Sequence, residues 1–274
     1  MTTKDNYVIK IPMTRLGSIL KTVYVERKRG KNVVKEATKA IGIDAHQFYE
    51  LYVETSFSPF PALIGTEEKY RKTMKIKPNA YITPIREDVK DKAVKTFETF
   101  AGRILVPGVN IWWDTSHVVA VYSDVKVLSN THYALKLNVD PSIEYYAEKA
   151  LVLWFNTSWG LLSILINREE TRGRWAQVKM GQWMLMPVLD ITSLSSDTLR
   201  KLAEVFDKYA EKVLRRIPEQ FDPNDPDPVR LGIDKDFIKT LFPTIDDEVL
   251  EEKLKRLYRH VDVALKQWIT GMRT

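Results

Sequence analysis

The spacing of turn-forming residues changes near residue 143, and this change limits the fold of the 274-residue chain more than any motif does. Up to residue 140 the chain is interrupted by Gly17, Gly30, Gly42, Pro59, Pro61, Gly65, Pro78, Pro84, Gly102, Pro107 and Gly108. Residues of these two types end helices and bend strands, so only short elements fit between them. β-Branched and aromatic residues fill the intervals. Tyr7 to Ile11, Asn79 to Thr83, Arg103 to Val106, His117 to Tyr122 and Tyr133 to Leu137 therefore read as strands. Val89 to Ala101 reads as a helix lying between two of them.

From Ile143 onward the pattern becomes helical. Ile143 to Leu153 and Ser158 to Arg168 carry that spacing with a break at Asn156 to Ser158, and Trp175 to Met184 leads to Pro187. Ser195 to Arg216 is the strongest amphipathic stretch, with Leu199, Leu202, Val205, Phe206, Tyr209, Val213 and Leu214 recurring at threes and fours. Ser195 or Ser196 caps its start, and Asp197 suits the positive end of the helix dipole. The acidic, proline-rich run Asp222 to Pro228 reads as a hinge or linker, and Asp246 to Ile269 as a last helix. The expected class is α+β, a mixed α/β body with short strands followed by long C-terminal helices. The expected division is a basic α/β body at 1–142, its helical continuation at 143–221, and a linker with a C-terminal helical segment at 222–274.

Composition excludes several classes. The chain has no cysteine, which removes thiolate metal sites, cysteine nucleophiles and redox pairs. No cationic N-terminus leads into an apolar stretch with a cleavage site, so a cytoplasmic location without membrane contact is expected. The apolar run Ala150 to Ile166 is shorter than the ~20 residues a membrane span needs and holds Asn156, Thr157, Ser158 and Gly160, so it reads as core. The net charge of +6 is localised: residues 1–80 carry 15 Lys and Arg against 8 Asp and Glu, while the remaining two thirds are close to neutral. Arg27, Lys28, Arg29, Lys31, Lys35 and Lys39 form one cluster, and Lys69, Arg71, Lys72, Lys75 and Lys77 a second. A localised positive field suits a polyanion, because each neutralised phosphate releases counterions. The same clusters would also arise as a solvated basic face.

Enzyme signatures are sparse. A glycine-rich phosphate loop, a nucleophile elbow and paired zinc histidines are all missing, and His46, His117, His132 and His260 follow no metal-ligand spacing. Asp114, Asp124 and Lys126, around a β-rich run, could hold Mg²⁺ and steady a hydroxide for phosphodiester cleavage, at a spacing common by chance. Two other segments suit nucleic acid better. Arg103 to Asn110, leading into Trp112 and Trp113, sets a cation, an amide and two indoles close together. Arginine can address guanine, asparagine can address adenine, and indoles can stack on bases; an internal ion pair for Arg103 and a core role for the indoles is the plainer reading. Asn167 to Lys179 holds Arg168, Arg172, Arg174 and Lys179 around Gly173, where the backbone can approach a phosphate.

The order of these segments resembles the C-terminal target-recognising region of adenine-specific DNA methyltransferases from restriction–modification systems. Matching stretches are Ile43 to Phe48, Ser58 to Gly65, Arg103 to Asn110 and Leu128 to Thr131. Leu153-Trp-Phe-Asn-Thr-Ser-Trp-Gly-Leu-Leu162 follows, then Arg168 to Trp175 with Lys179, Met186 to Asp190, and Arg230 to Asp234. They cover about residues 10 to 240, and the block from Leu153 to Asp190 is the specific part. Methylating members carry a cofactor domain and a catalytic tetrapeptide upstream, which this sequence lacks.

The resemblance therefore implies a DNA-binding specificity protein that positions the S-adenosylmethionine-dependent active site of a separate methyltransferase subunit over an adenine. No catalytic residue, metal or cofactor is expected in this chain; S-adenosylmethionine belongs to the partner. Double-stranded DNA would be held by Arg27, Lys28, Arg29, Lys31 and Lys72, and read or clamped by Arg103, Asn110, Trp112, Arg168, Arg172, Arg174 and Lys179. The C-terminal helices would dock the methyltransferase or a second copy. Asn130, Asn156, Gly160 and Asp190 are candidates for structural markers of the family. The alternatives are a Mg²⁺-dependent nuclease using Asp114, Asp124 and Lys126, or a protein-interaction module with an incidental basic face.

Overall fold

A computed structural model describes residues 10–29, 32–65, 72–108, 110–169 and 175–271. The first part runs β1 (Met13–Arg15), α1 (Leu16–Ile19), β2 (Thr22–Arg29), β3 (Asn32–Lys39), α2 (Ala45–Leu51), β4 (Tyr52–Thr55), β5 (Phe60–Leu63), β6 (Lys75–Ile76) and β7 (Ala80–Pro84). It continues with α3 (Lys90–Phe100), β8 (Gly102–Pro107), β9 (Asn110–Trp112), β10 (Val121–Ser129) and β11 (His132–Leu135). The later part is α4 (Pro141–Phe155), α5 (Ser158–Asn167), β12 (Trp175–Gln177), α6 (Met180–Leu185), β13 (Pro187–Leu189), α7 (Ser196–Tyr209), α8 (Pro228–Leu241) and α9 (Asp247–Gly271). The class is α+β, with the short strands early and the long helices late.

Seven strands form the central sheet, in the order β11-β8-β10-β5-β7-β4, with β6 also paired to β10. The pairings of β10 with β5 and β6 are parallel and the rest antiparallel. α4 lies against β8 and β10 and packs its other side on α7, which in turn carries α8. Leu199, Leu202, Phe206 and Tyr209 are the buried stripe of α7, as their spacing requires. One apolar cluster runs from Leu16 to Leu265, and a smaller one joins α2 and α3 to the sheet through Phe48, Ala93, Phe100, Ile82 and Leu128. Gly42 has φ 62° where the chain leaves the sheet, and a Cβ there would stand 2.8 Å from the Ala134 nitrogen, so a side chain is excluded both by backbone geometry and by space.

Several segments depart from their sequence pattern because a neighbour satisfies their backbone differently. His117 to Ala120 is not strand; β10 begins at Val121. Its polar groups are met by side chains: Asn156 Oδ1 accepts from Val119 N at 2.9 Å, Asn156 Nδ2 donates to Ala120 O at 2.7 Å, and Gln220 Nε2 donates to His117 O at 2.7 Å. Trp175 to Met184 divides into β12 and α6 because β12 pairs with β9. α7 ends at Tyr209 rather than Arg216, since Ala210 O accepts from Lys75 N and Leu214 N donates to Lys72 O. Of the Tyr7 to Ile11 stretch, only Lys10 and Ile11 are described, and neither is in a strand.

Asp222 to Pro228 is built in rather than serving as a free linker. Asp227 is buried and accepts from Arg215 N at 2.6 Å and from Val229 N at 2.7 Å, which makes it the cap of α8 with Pro228 in the first turn. Asp-Pro is as much a helix start as a linker signal, and burial decides which.

The apolar run 150–166 is split between α4 and α5, which meet at a bend of 69°, and among the described residues no single helix is long and apolar enough to cross a membrane. The bend is held by the residues that interrupt the run. Thr157 caps α5 by accepting from Gly160 N at 3.1 Å, and Ser158 N donates to the buried Asp234 at 2.9 Å. A Cβ on Gly160 would lie 2.1 Å from Trp154 O, so only glycine lets the two helices turn this closely.

Candidate nucleic-acid interface

β2 and β3 form a two-stranded sheet of their own, paired without a break from Thr22↔Lys39 to Arg29↔Asn32. At ~3.4 Å per residue the ribbon extends about 24 Å. Its root is fixed by a ring of three backbone bonds: Lys21 N donates to Lys136 O, Lys136 N to Ala40 O, and Ala40 N to Lys21 O, at 2.9, 3.2 and 2.9 Å. Bridges Leu20↔Leu137 and Ile41↔Leu135 continue this seam beside β11. Val23 and Val25 pack on the smaller apolar cluster, and Glu26 pairs with Lys95 of α3 at 3.2 Å. Tyr24, between these two valines on the opposite face, and Val33, further out, are more than 60% exposed. An open groove of about 730 Å³ separates the ribbon from α3.

The basic residues predicted to hold DNA fall into this ribbon and a second place. Arg27, Lys28 and Arg29 are the last three residues of β2, opposite Val34, Val33 and Asn32. Lys31 lies outside the described residues. Lys35 and Lys39 are on β3, where Lys39 Nζ donates to Leu20 O and Thr22 Oγ1, both at 3.1 Å. Of the second sequence cluster, Lys69 and Arg71 lie outside the described residues, and Lys72 and Lys75 are bonded elsewhere. Lys72 is half-buried with its carbonyl bonded to Leu214 N, and Lys75 pairs with Asp124 at 3.0 Å beside Glu211.

The other candidate readers assemble around a smaller ribbon. β9 and β12 pair Trp112↔Trp175, Ile111↔Ala176 and Asn110↔Gln177, and Glu169 bridges to Gln177. Asn110 and Trp112 thereby come together with both ends of the charged segment, Arg168 and Lys179. Lys179 pairs with Glu169 at 2.9 Å, and Arg168 Nη1 donates to Leu165 O. Arg172 and Arg174 lie outside the described residues. Trp112 is 40% exposed, whereas Trp113 is buried, so the two indoles divide between surface and core. Asn110 Oδ1 is buried and receives no hydrogen bond from the described residues.

Arg103 belongs to neither group. It pairs with the buried Glu148 of α4 at 3.2 Å, the plainer of the two readings its sequence allows. Burial disfavours both charges. It pushes the Glu148 carboxyl up to about 7 against the pull of Arg103, while Glu148 more than offsets the burial of Arg103 and raises the guanidinium. The larger ribbon meets the body at the Leu135 end of β11, beside Ile104, whereas Asn110 follows the Pro107 end of β8, beside His132. The two candidate surfaces are thus separated by the length of β11, on the order of 10 Å.

The nuclease candidates are placed as follows. Asp124 and Lys126 are exposed in β10, with Asp124 held by Lys75, and Asp114 follows β9. Among the described residues no three His, Asp or Glu side chains are grouped as a metal would need. The residues marked as structural are at junctions. Asn130 accepts from Gly65 N at 3.1 Å and donates to Tyr49 Oη at 2.6 Å, and Asp190 accepts from Thr192 N at 3.1 Å. Sequence reasoning overlooked Lys21 and Lys136, which are 115 positions apart and share the ribbon root; only their common bridge to β11 unites them. Comparison with protein-family models, curated proteins and solved structures finds no match to this chain.

Proposed function

We propose that this chain is a DNA-binding target-recognition protein that positions a separate S-adenosylmethionine-dependent adenine methyltransferase on its site. The observation that carries the reading is the isolated ribbon β2–β3, in which β2 ends on Arg27, Lys28 and Arg29. A two-stranded antiparallel ribbon fits a major groove about 12 Å wide, where base edges are distinguishable. Cations at its outer end add the sequence-independent attraction of phosphates. The ordered resemblance from Ile43 to Asp234 supports the same role. Trp112, exposed on the smaller ribbon, offers a second base contact by stacking, with Arg168 and Lys179 beside it. Arg103 serves the body instead, tying β8 to α4 through Glu148.

Selection of bound duplexes from a random-sequence library tests this. The expected result is a common enriched sequence. Lys179→Ala should then relax preference at one base pair, at a cost of about 1–3 kcal/mol, while Lys28→Ala should weaken all duplexes alike. Recovery of no shared sequence would refute target recognition. A methyltransferase co-purifying from the native cell, and methylating the selected sequence only with this protein present, tests the partner half of the proposal.

A further inference from the structure

The root of the large ribbon gathers cations that the sequence scatters. Lys21 precedes β2 and Lys136 follows β11, and the two are joined by the bond from Lys21 N to Lys136 O. Lys126 comes from β10, at a place where the ladder with β8 breaks. The register passes from Tyr122↔Ile104 to Val127↔Gly102, so Asp124, Val125 and Lys126 bulge out of the sheet and are exposed. Bulges of this kind re-aim side chains. Asp124 turns to Lys75, while among the described residues neither Lys21 nor Lys126 has a carboxylate at ion-pair distance.

We propose that Lys21, Lys126 and Lys136 form a phosphate-contacting patch through which this protein holds the backbone of duplex DNA at the ribbon root. The inference rests on the recognition reading and adds a site to it. Lys136 is the fixed member, with its ammonium donating to Glu98 O at 2.7 Å. Burial, then Lys126 and Lys21, hold this ammonium below the ordinary lysine value, and Glu144 and Glu98 do not offset them. The backbone bond between Lys21 and Lys136 holds two like charges together in the free protein, and an anion placed beside them relieves their repulsion. Several lysines of the C-terminal helices are placed otherwise: Lys201 pairs with Asp197, Lys208 with Asp236, Lys235 with Glu251 and Lys239 with Asp247. A duplex seated on the ribbon would bring its phosphates to the root from which the ribbon rises.

The test is the salt dependence of binding to a random-sequence duplex, measured by fluorescence anisotropy on the full chain between about 50 and 200 mM salt. Lys21→Ala with Lys126→Ala should reduce the slope of log affinity against log salt by about 2, equally on all sequences. Lys201→Ala with Lys239→Ala removes the same charge from paired positions and should leave the slope unchanged. Both double variants should melt with the parent, because the altered side chains are surface groups. Duplex binding with an unchanged slope in the root variant, or an equal fall in both variants, overturns the patch and leaves target recognition standing. Failure of the unaltered protein to bind duplex DNA overturns the recognition reading and the patch with it.

Discussion

Asn156→Leu should weaken the fold severely, because one amide completes the backbone of a segment that has no strand partner. Asn156 is fully buried at the end of α4. Its Oδ1 accepts from Val119 N at 2.9 Å, and its Nδ2 donates to Ala120 O at 2.7 Å and to Val152 O at 3.0 Å. Leucine has the same number of side-chain heavy atoms, in a bulkier form, and makes none of these bonds. Val152 O also accepts from Asn156 N at 3.3 Å and keeps that partner. Val119 N–H and Ala120 C=O would be stranded, at about 1–3 kcal/mol each, and burial of the leucine methyls regains part of this, leaving a net loss of about 3 kcal/mol. That is a large fraction of the ~5–15 kcal/mol that holds a domain together. Urea denaturation should show a lower midpoint with an unchanged slope, and hydrogen exchange should show the Val119 amide losing protection. A variant with the parent's midpoint, or with Val119 still protected, refutes the bridging role. Asn156→Asp gives a pH-dependent companion. Its carboxylate would face two carbonyl oxygens, so its folded pKa would rise above the unfolded value, and stability present at acid pH would be lost as pH increases.

Gly160→Ala should destabilise by about 3 kcal/mol or more, because its Cβ would lie 2.1 Å from Trp154 O and 2.8 Å from Phe155 Cα, and neither backbone atom can move without opening the α4–α5 bend; a melting temperature equal to the parent's would show that the bend is soft. Glu148 makes stability depend on pH. Its folded carboxyl titrates at about 7 against an ordinary 4.5, so the stability it contributes is complete below pH 4.5 and is lost as pH rises through 7. The change amounts to about 3 kcal/mol. Glu148→Gln should flatten that part of the stability profile, and a profile identical to the parent's would mean that the carboxyl is not protonated in the fold.

The helices were the most legible part of the sequence, because their period is local. α3, α4, α5, α7 and α9 follow from apolar residues at threes and fours, and the break between α4 and α5 from Asn156 to Ser158. Strands were legible where β-branched residues pair in the central sheet, as in β8 and β11. His117 to Ala120 has the same composition and is not a strand, because Asn156 and Gln220, far along the chain, take its hydrogen bonds. Within the block from Leu153 to Asp190, the residues Asn156 to Gly160 hold a helix bend and a backbone bridge.

For the candidate interface, the order of amino acids alone shows which residues are cations and that their excess over acids lies in the first 80 positions. The strands β2 and β3 were not legible, because lysines and arginines interrupt their β-branched residues and leave only a basic cluster in view. Only the tertiary structure decided how each charge is used. Arg103 is consumed by a carboxylate 45 residues away, Lys75 by one 49 residues away, and Lys21 and Lys136 are joined at one root. The reason is physical. Whether a cation faces solvent, an acid or another cation depends on pairings across the sheet, and the identity of a residue and its neighbours in sequence carries no information about which distant strand it will meet.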